Sequence, residues 1–176
     1  MYPIIRIMKE LLRARRLGPI DLMDSHISHH RCWPVDLDLW MELNNGRTLT
    51  LYDLGRLPHV GRTGVGRALR EKGWGLTVAG STIRYRRRVT VLSKLTMHTR
   101  WVGWDNRFMY MEQSMWRGDE CASHALVRLA VVGKAGIVAP SDLALALGNG
   151  GESPALPAWV QAWIEAEATR PWPPER

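Results

Sequence analysis

Two acids one residue apart, Asp36 and Asp38, are followed at short range by Glu42 and the pair Asn44-Asn45. The chain after this pair reads as a helix, and asparagine is a preferred residue at a helix start. The start of a helix carries unpaired N–H groups and the positive end of the helix dipole. A carboxylate beside such donors can attack a carbonyl, or activate water, while the donors hold the developing oxyanion. The same spacing also fits an ordinary solvated turn before a capped helix.

Several short segments share one pattern of offsets across most of the chain. They are Asp36-Leu-Asp38, Asn44-Asn45, Tyr52-Asp53-x-x-Arg56, Ser81-x-x-Arg84-Tyr85-Arg86-Arg87 and Leu126-Val127-Arg128-Leu129. Together they resemble the hotdog-fold thioesterases of the 4-hydroxybenzoyl-CoA thioesterase type, in the branch that reads Asp-x-Asp-x-x-x-His-x-Asn-Asn before a helix. The resemblance covers about residues 25–133. It departs from that branch at Glu42, which replaces the family histidine, and at Trp40, where a small or polar residue is usual.

The resemblance implies an α+β hotdog fold, in which a curved antiparallel sheet wraps around a central helix. It implies hydrolysis of an acyl thioester of coenzyme A or an acyl carrier protein, with no cofactor beyond the substrate's own coenzyme A. Asp38 matches the second acid of the motif and is expected to be the catalytic base or nucleophile. Glu42 is a second candidate acid, or only a hydrogen-bonding replacement for the histidine. Asn44, Asn45 and Gly46 are expected to bind substrate.

Two further expectations concern partners. Hotdog sites usually lie between subunits, so the resemblance implies a homodimer or a dimer of dimers. The basic run from Arg84 to Arg88 could contact coenzyme A phosphates, through Arg84 and Arg86 above all, or could only blunt a sheet edge. A non-catalytic acyl-CoA binder on the same fold is the alternative function, because a fold can keep its pocket and lose its chemistry.

Composition narrows the classes of function. The chain has 176 residues, 45% of them hydrophobic, and a formal charge of +7, which suits a globular domain that attracts polyanions. No nucleic-acid motif accompanies this charge, so no nucleic-acid partner is expected. No apolar run reaches the length of a membrane span, and Arg6 and Lys9 interrupt any signal-peptide core. The expected compartment is the cytoplasm, where Cys32 and Cys121 would be reduced.

Other chemistry is possible but less favoured. His26, His30 and Cys32 share one face of a predicted strand, yet ligands strung along a strand lie too far apart to meet one ion. We therefore expect no metal site. Cys32 near these histidines could also be a thiol nucleophile, although a free, partly buried cysteine is the simpler interpretation.

Hydrophobic periodicity divides the chain into three parts. In residues 1–20 the pattern predicts an amphipathic, basic helix over 2–17. This helix is expected to dock on the main domain or to contact a membrane surface. Residues 21–139 predict the hotdog domain, with a strand at 25–36, a helix after Asn45 broken or kinked at Pro58, and a short helix ending at Gly73. Alternating strands then follow over 76–88, 89–101, 107–116 and 120–132. Residues 140–176 predict a helical extension and a Pro-rich tail.

Overall fold

The computed structural model describes residues 2–175. Its helices are α1 (Ile4–Leu17), α2 (Asn45–Arg62), α3 (Val65–Lys72), α4 (Pro140–Ala146) and α5 (Ala158–Ala168). Its strands are β1 (His26–Arg31), β2 (Gly75–Tyr85), β3 (Lys94–Trp104), β4 (Met109–Arg117), β5 (Glu120–Gly133) and β6 (Gly136–Val138).

The strands form one antiparallel sheet in the order β1-β3-β4-β5-β2, with β6 paired to the end of β5. This sheet curls around α2, whose side chains Leu51, Tyr52 and Leu54 are fully buried against it. The predicted α+β hotdog arrangement, a curved antiparallel sheet around a central helix, is confirmed.

The period-two pattern of β3 also matches its burial. Leu95, Met97, Thr99 and Trp101 face the core, while the residues between them are more exposed. The sequence placed a strand boundary at residue 88, but residues 86–93 instead connect β2 to β3. Leu92 in this connection has a positive φ of 59°, which an extended strand does not permit.

Pro58 does not end α2, which continues to Arg62. The expected break is overridden by packing, because Pro58 and His59 are both buried and the last turn is tied to the segment after α1. There, Arg62 Nε donates to the carbonyl of Gly18 at 2.8 Å. Tertiary contacts of this kind outweigh a local helix penalty.

Helix α1 packs on α2, but only one residue of its predicted apolar stripe takes part. Ile7, Glu10 and Ala14 are buried. The stripe predicted to dock is Ile4, Ile5, Met8, Leu11 and Leu12, of which Leu11 packs partly buried against the core and the other four remain exposed. No helix in residues 2–175 is long and apolar enough to cross a membrane.

The C-terminal helix α5 covers part of the outer face of the sheet, opposite α2. Val160 is fully buried against Val102, Tyr110 and Leu126. The division of the chain into 1–20, 21–139 and 140–176 remains a prediction.

Gly55 sets how closely α2 approaches the sheet. A Cβ atom at this position would lie 2.6 Å from Thr99 Oγ1, inside any normal contact. Buried Gln113 bridges the same layers, since its Nε2 donates to the Tyr52 carbonyl at 2.9 Å and to Thr99 Oγ1 at 3.0 Å. The helix can therefore rest directly on β3 and β4 only because residue 55 lacks a side chain.

We expect Gly55→Ala to lower the free energy of unfolding by about 1–3 kcal/mol through overpacking. Gly61→Ala is the matched control on the same helix, because a Cβ there meets nothing within 4 Å. This change should instead raise stability by about 0.5–1 kcal/mol. Urea titrations of both variants measure the difference, and equal effects would contradict the role of Gly55.

Candidate active site

A buried carboxylate anchors the loop that precedes α2. Asp36 ends a short 3₁₀ turn at Pro34–Asp36, and its side chain is fully buried. Its oxygens accept bonds from Arg6 Nη1 at 2.8 Å, from Arg47 Nη2 at 2.7 Å and from the N–H of Trp33 at 3.0 Å. Burial alone would raise the pKa of Asp36, but these donors outweigh it and hold the pKa below its usual range.

Asp38 organises a tight turn through residue 42. Its Oδ1 accepts bonds from the N–H groups of Trp40 at 2.9 Å and Glu42 at 3.3 Å. Its own N–H donates to the carbonyl of Glu42 at 2.8 Å. Between them Met41 has a φ of 60°, a strained value for a residue with a side chain. One oxygen of Asp38 thus holds the turn.

The start of α2 provides the donors that the sequence predicts. Asn44 caps the helix, since its Oδ1 accepts from the N–H of Arg47 at 3.1 Å, and its own N–H donates to the carbonyl of Asp36 at 2.9 Å. Among the described residues no atom accepts a bond from the N–H of Asn45 or Gly46. These two groups, with the helix dipole behind them, can stabilise a negative oxygen.

A cavity of about 230 Å³ lies beside this helix start. The side chains that give it polar character are Glu42, Asn45, Thr48, Tyr85, Arg86, Arg87, Arg88 and Ser123. The Glu42 carboxylate forms an ion pair with Arg88. Tyr85 Oη donates to the carbonyl of Asn45 at 3.3 Å, and burial raises the pKa of this phenol. The cavity therefore holds a carboxylate, hydroxyl groups and cations around free helix donors.

The structure brings only some of the predicted site residues together. Glu42, Asn45 and Arg86 line the cavity, and Asn44 caps the helix beside it. Asp38 lies on the same turn as Glu42 but is not part of the lining.

Arg84 lies elsewhere, on the outer face of the sheet. It lines a separate, open groove of about 950 Å³, to which Arg86 also contributes. In that groove Glu112 accepts from His124 Nε2 at 2.8 Å and pairs with Arg100 Nη2 at 2.6 Å. His124 and then Arg100 lower the pKa of Glu112 against the opposing effect of burial. Because side chains alternate along a strand, Tyr85 and not Arg84 faces α2.

Thr48, Tyr85 and Ser123 are the cavity residues that sequence reasoning missed. For Tyr85 one signal was available in the sequence: side chains alternate along a strand, so Tyr85 points to the opposite face from Arg84 and Arg86. No pattern in the sequence pointed to Ser123. It is held by buried Tyr52, whose Oη lies 2.9 Å from Ser123 Oγ and donates to the Ser123 carbonyl at 3.0 Å.

The other candidate groups have structural partners. Arg62 Nη1 lies 3.0 Å from His26 Nδ1, and His30 Nε2 lies 2.8 Å from Ser28 Oγ. Burial lowers the pKa of His26 to about 4 and raises that of Cys32 to about 11, so the thiol is protonated at neutral pH. Within residues 2–175 no group of three His, Cys, Asp or Glu side chains could hold a metal ion.

Known proteins are similar to this chain in sequence or in fold. The model of the thioesterase-like superfamily matches residues 32–164. Protein THEM6 of Xenopus laevis is 30% identical over 170 residues, which span 94% of this chain and 80% of that protein. THEM6 of Danio rerio is 34% identical over 103 residues, which span 58% of this chain and 51% of that protein.

Two solved structures illustrate the likeness in fold. YbaW, a probable thioesterase of Escherichia coli, has a TM-score of 0.65 at 16% identity, covering 72% of this chain and 98% of its own. The DHNA-CoA thioesterase of Staphylococcus aureus has a TM-score of 0.58 at 13% identity, covering 82% of this chain and 91% of its own.

We expect Asp36→Asn to destabilise the protein by about 2–4 kcal/mol at neutral pH, because it would remove the buried carboxylate that Arg6 and Arg47 both bind. Asp38→Asn is the matched control, since an amide oxygen can still accept the two N–H bonds of its turn. The loss of unfolding free energy in Asp36→Asn should be largest above a pH of about 4, which is near the pKa of aspartate in the unfolded chain. It should shrink as the pH falls through the lower pKa of Asp36 in the folded protein. Chemical denaturation at several pH values measures both, and equal costs for the two variants would contradict the anchor.

Proposed function

Because this chain belongs to the thioesterase-like superfamily, we propose that it hydrolyses an acyl thioester of coenzyme A or an acyl carrier protein. No cofactor is needed beyond the coenzyme A that is part of such a substrate. The observation that supports this most is the pair of free N–H groups at Asn45 and Gly46, beside a cavity that contains a carboxylate. This is the arrangement that addition to a thioester carbonyl requires.

In the proposed reaction a carboxylate takes a proton from water as the water oxygen attacks the thioester carbonyl. The carbonyl oxygen becomes an oxyanion, and the N–H groups of Asn45 and Gly46 stabilise it. The tetrahedral intermediate then collapses, the carbon–sulfur bond breaks, and the thiolate leaves and takes up a proton. The products are a carboxylic acid and a free thiol.

Asp38 is our choice for the carboxylate, because it matches the second acid of the family motif. Its Oδ1 holds the turn, while no described atom donates to its Oδ2. Glu42 is the second candidate for the carboxylate, because it lines the cavity. Its charge, however, is neutralised by Arg88. The two acids are joined by backbone bonds within one short turn, so a substrate carbonyl at the helix start could be served by either.

A non-catalytic acyl-CoA binder is the second candidate function. It is favoured by the engagement of both acids, since Asp38 is bonded to its own turn and Glu42 is paired with Arg88. Thr48, Tyr85 and Arg86 would then shape a binding cavity only. Turnover of acyl-CoA thioesters by the unaltered protein separates the two candidates.

We expect Asp38→Asn to reduce kcat for an acyl-CoA thioester by roughly a hundred- to ten-thousandfold, the usual value of positioned proton transfer. The amide keeps the turn, so KM and the unfolding midpoint should change little. A thiol-release assay gives both kinetic constants.

Glu42→Gln is the paired variant for that assay. It removes the ion pair with Arg88 but leaves Asp38 in place, so we expect a change mainly in KM. A loss of kcat confined to Glu42→Gln would transfer the role of base to Glu42. Normal kcat in both variants would contradict a carboxylate mechanism at this turn.

We also propose that the chain forms a homodimer through β2. This strand ends the sheet, and its backbone groups on the side away from β5 lack a partner strand among the described residues. Val78 in its middle is 50% exposed. Pairing with the β2 strand of a second copy would satisfy these groups.

Val78→Asp should weaken the dimer, because two copies of β2 would then bring like charges together. Ile27→Asp is the matched control, since Ile27 is 46% exposed on β1, at the other edge of the sheet. Sedimentation velocity should show a dimer for the unaltered chain and for Ile27→Asp, and a shift toward monomer for Val78→Asp. A monomeric unaltered chain would overturn the proposal.

A further inference from the structure

Two tight turns expose bulky apolar side chains at strained positions. Met41 and Leu92 have φ values of 60° and 59°, and their side chains are 62% and 49% exposed. A left-handed conformation is unfavourable for both residue types, and glycine or asparagine would fit either position better. Strain that packing does not repay points to a function for the exposed side chains.

Backbone hydrogen bonds place the two turns side by side. The N–H of Leu43 donates to the carbonyl of Val89 at 2.8 Å, and Glu42 forms an isolated bridge with Thr90. The N–H of Leu92 donates to the carbonyl of Cys32 at 2.7 Å, which brings Trp33 to the same region. We call these exposed side chains the apolar edge: Trp33, Leu39, Trp40, Met41, Val91 and Leu92.

The exposure of the apolar edge favours a deformable partner such as lipid over a folded protein. Leu39 and Trp40 at the tip of their turn are 93% and 74% exposed, so both side chains project into solvent. A folded protein partner would need matching pockets for each tip, whereas lipid acyl chains adapt to any projecting side chain. Trp also has a preference for the boundary between bilayer and water.

A basic cavity lies directly beside the apolar edge. It has a volume of about 490 Å³ and is lined by Trp33, by Lys9, Arg31 and Lys94, and by Arg6, whose charge is already paired with Asp36. Glu10 is its one acidic lining residue. Arg31 and Lys94 are direct cross-strand partners, an arrangement in which like charges destabilise a sheet. An anion bound between them would relieve that repulsion.

We propose that the apolar edge and the basic cavity dock this protein on an anionic phospholipid bilayer. The six apolar side chains enter the outer part of the acyl layer, and the cavity receives lipid phosphate groups. The charges argue against a second copy as the occupant. A symmetric contact would place the basic cavity of each copy against the apolar edge of the other, where no anion neutralises it. The docking does not depend on the thioesterase proposal.

Vesicle flotation of the full chain tests the docking. We expect flotation with vesicles of phosphatidylcholine plus phosphatidylserine, little with phosphatidylcholine alone, and weaker binding at high salt. Leu92→Gly and Met41→Gly should each lower the partition coefficient about tenfold through lost apolar burial. Both changes relieve the left-handed strain, so these variants should fold at least as well as the unaltered chain.

Arg31→Gln and Lys94→Gln should each lower the partition coefficient roughly fivefold, the usual effect of one basic residue near an anionic surface. Ile137→Gly and Lys134→Gln are the matched controls, since both residues are exposed near β6, at the far end of the sheet from the two turns. Neither control should change flotation.

Three results would overturn the proposal: no flotation of the unaltered chain, undiminished flotation of Leu92→Gly and Met41→Gly, or equal losses in the controls. Loss of dimer mass in Leu92→Gly without vesicle binding would assign the apolar edge to a second copy.

Leu92→Gly should keep normal turnover of a soluble acyl-CoA without vesicles. If neither the unaltered chain nor any variant hydrolyses a thioester, the proposed thioesterase function is contradicted, and the flotation result still tests the membrane proposal.

Discussion

The buried carboxylate of Asp36 is the interaction on which the site depends. It lies between Arg6 of α1 and Arg47 of α2, and a charge at such depth is costly unless both partners are present. Its backbone carbonyl also receives the N–H of Asn44, the residue that caps α2. One residue thus fixes the first helix, the loop and the start of the central helix relative to one another. The first acid of the motif therefore has a structural role, and the proposed reaction relies on Asp38 or Glu42.

The contact between α2 and the sheet then sets the distance from the helix start to the strands. Gly55 lets the helix rest on Thr99, and Gln113 ties the two layers through hydrogen bonds. Tyr52 fixes the same helix to Ser123 of β5. The cavity between Asn45 and Ser123 therefore keeps its dimensions through packing at the middle of the helix, about two to three turns from the start of α2.

Local rules predicted the parts of this structure that depend on local chemistry. The cap at Asn44, the alternation of β3 and the glycine stop after α3 follow from residue type and spacing. The fold itself came from resemblance, since periodicity alone did not select it. Sequence could not show that Pro58 stays inside a helix, that α1 docks through Glu10, or that Arg84 faces away from the cavity, because each depends on which surfaces meet after folding.

Glutamate at position 42 limits how the site can stabilise an oxyanion. A histidine can donate a hydrogen bond, whereas an ionised glutamate only accepts. The negative charge of Glu42 would also oppose an anionic intermediate in a small cavity, unless a cation neutralises it. Arg88 does so and makes the pair a neutral unit. In the proposed reaction the N–H groups of Asn45 and Gly46 take the place of such a donor, so the electrophilic part of that reaction would depend on the backbone at the start of α2.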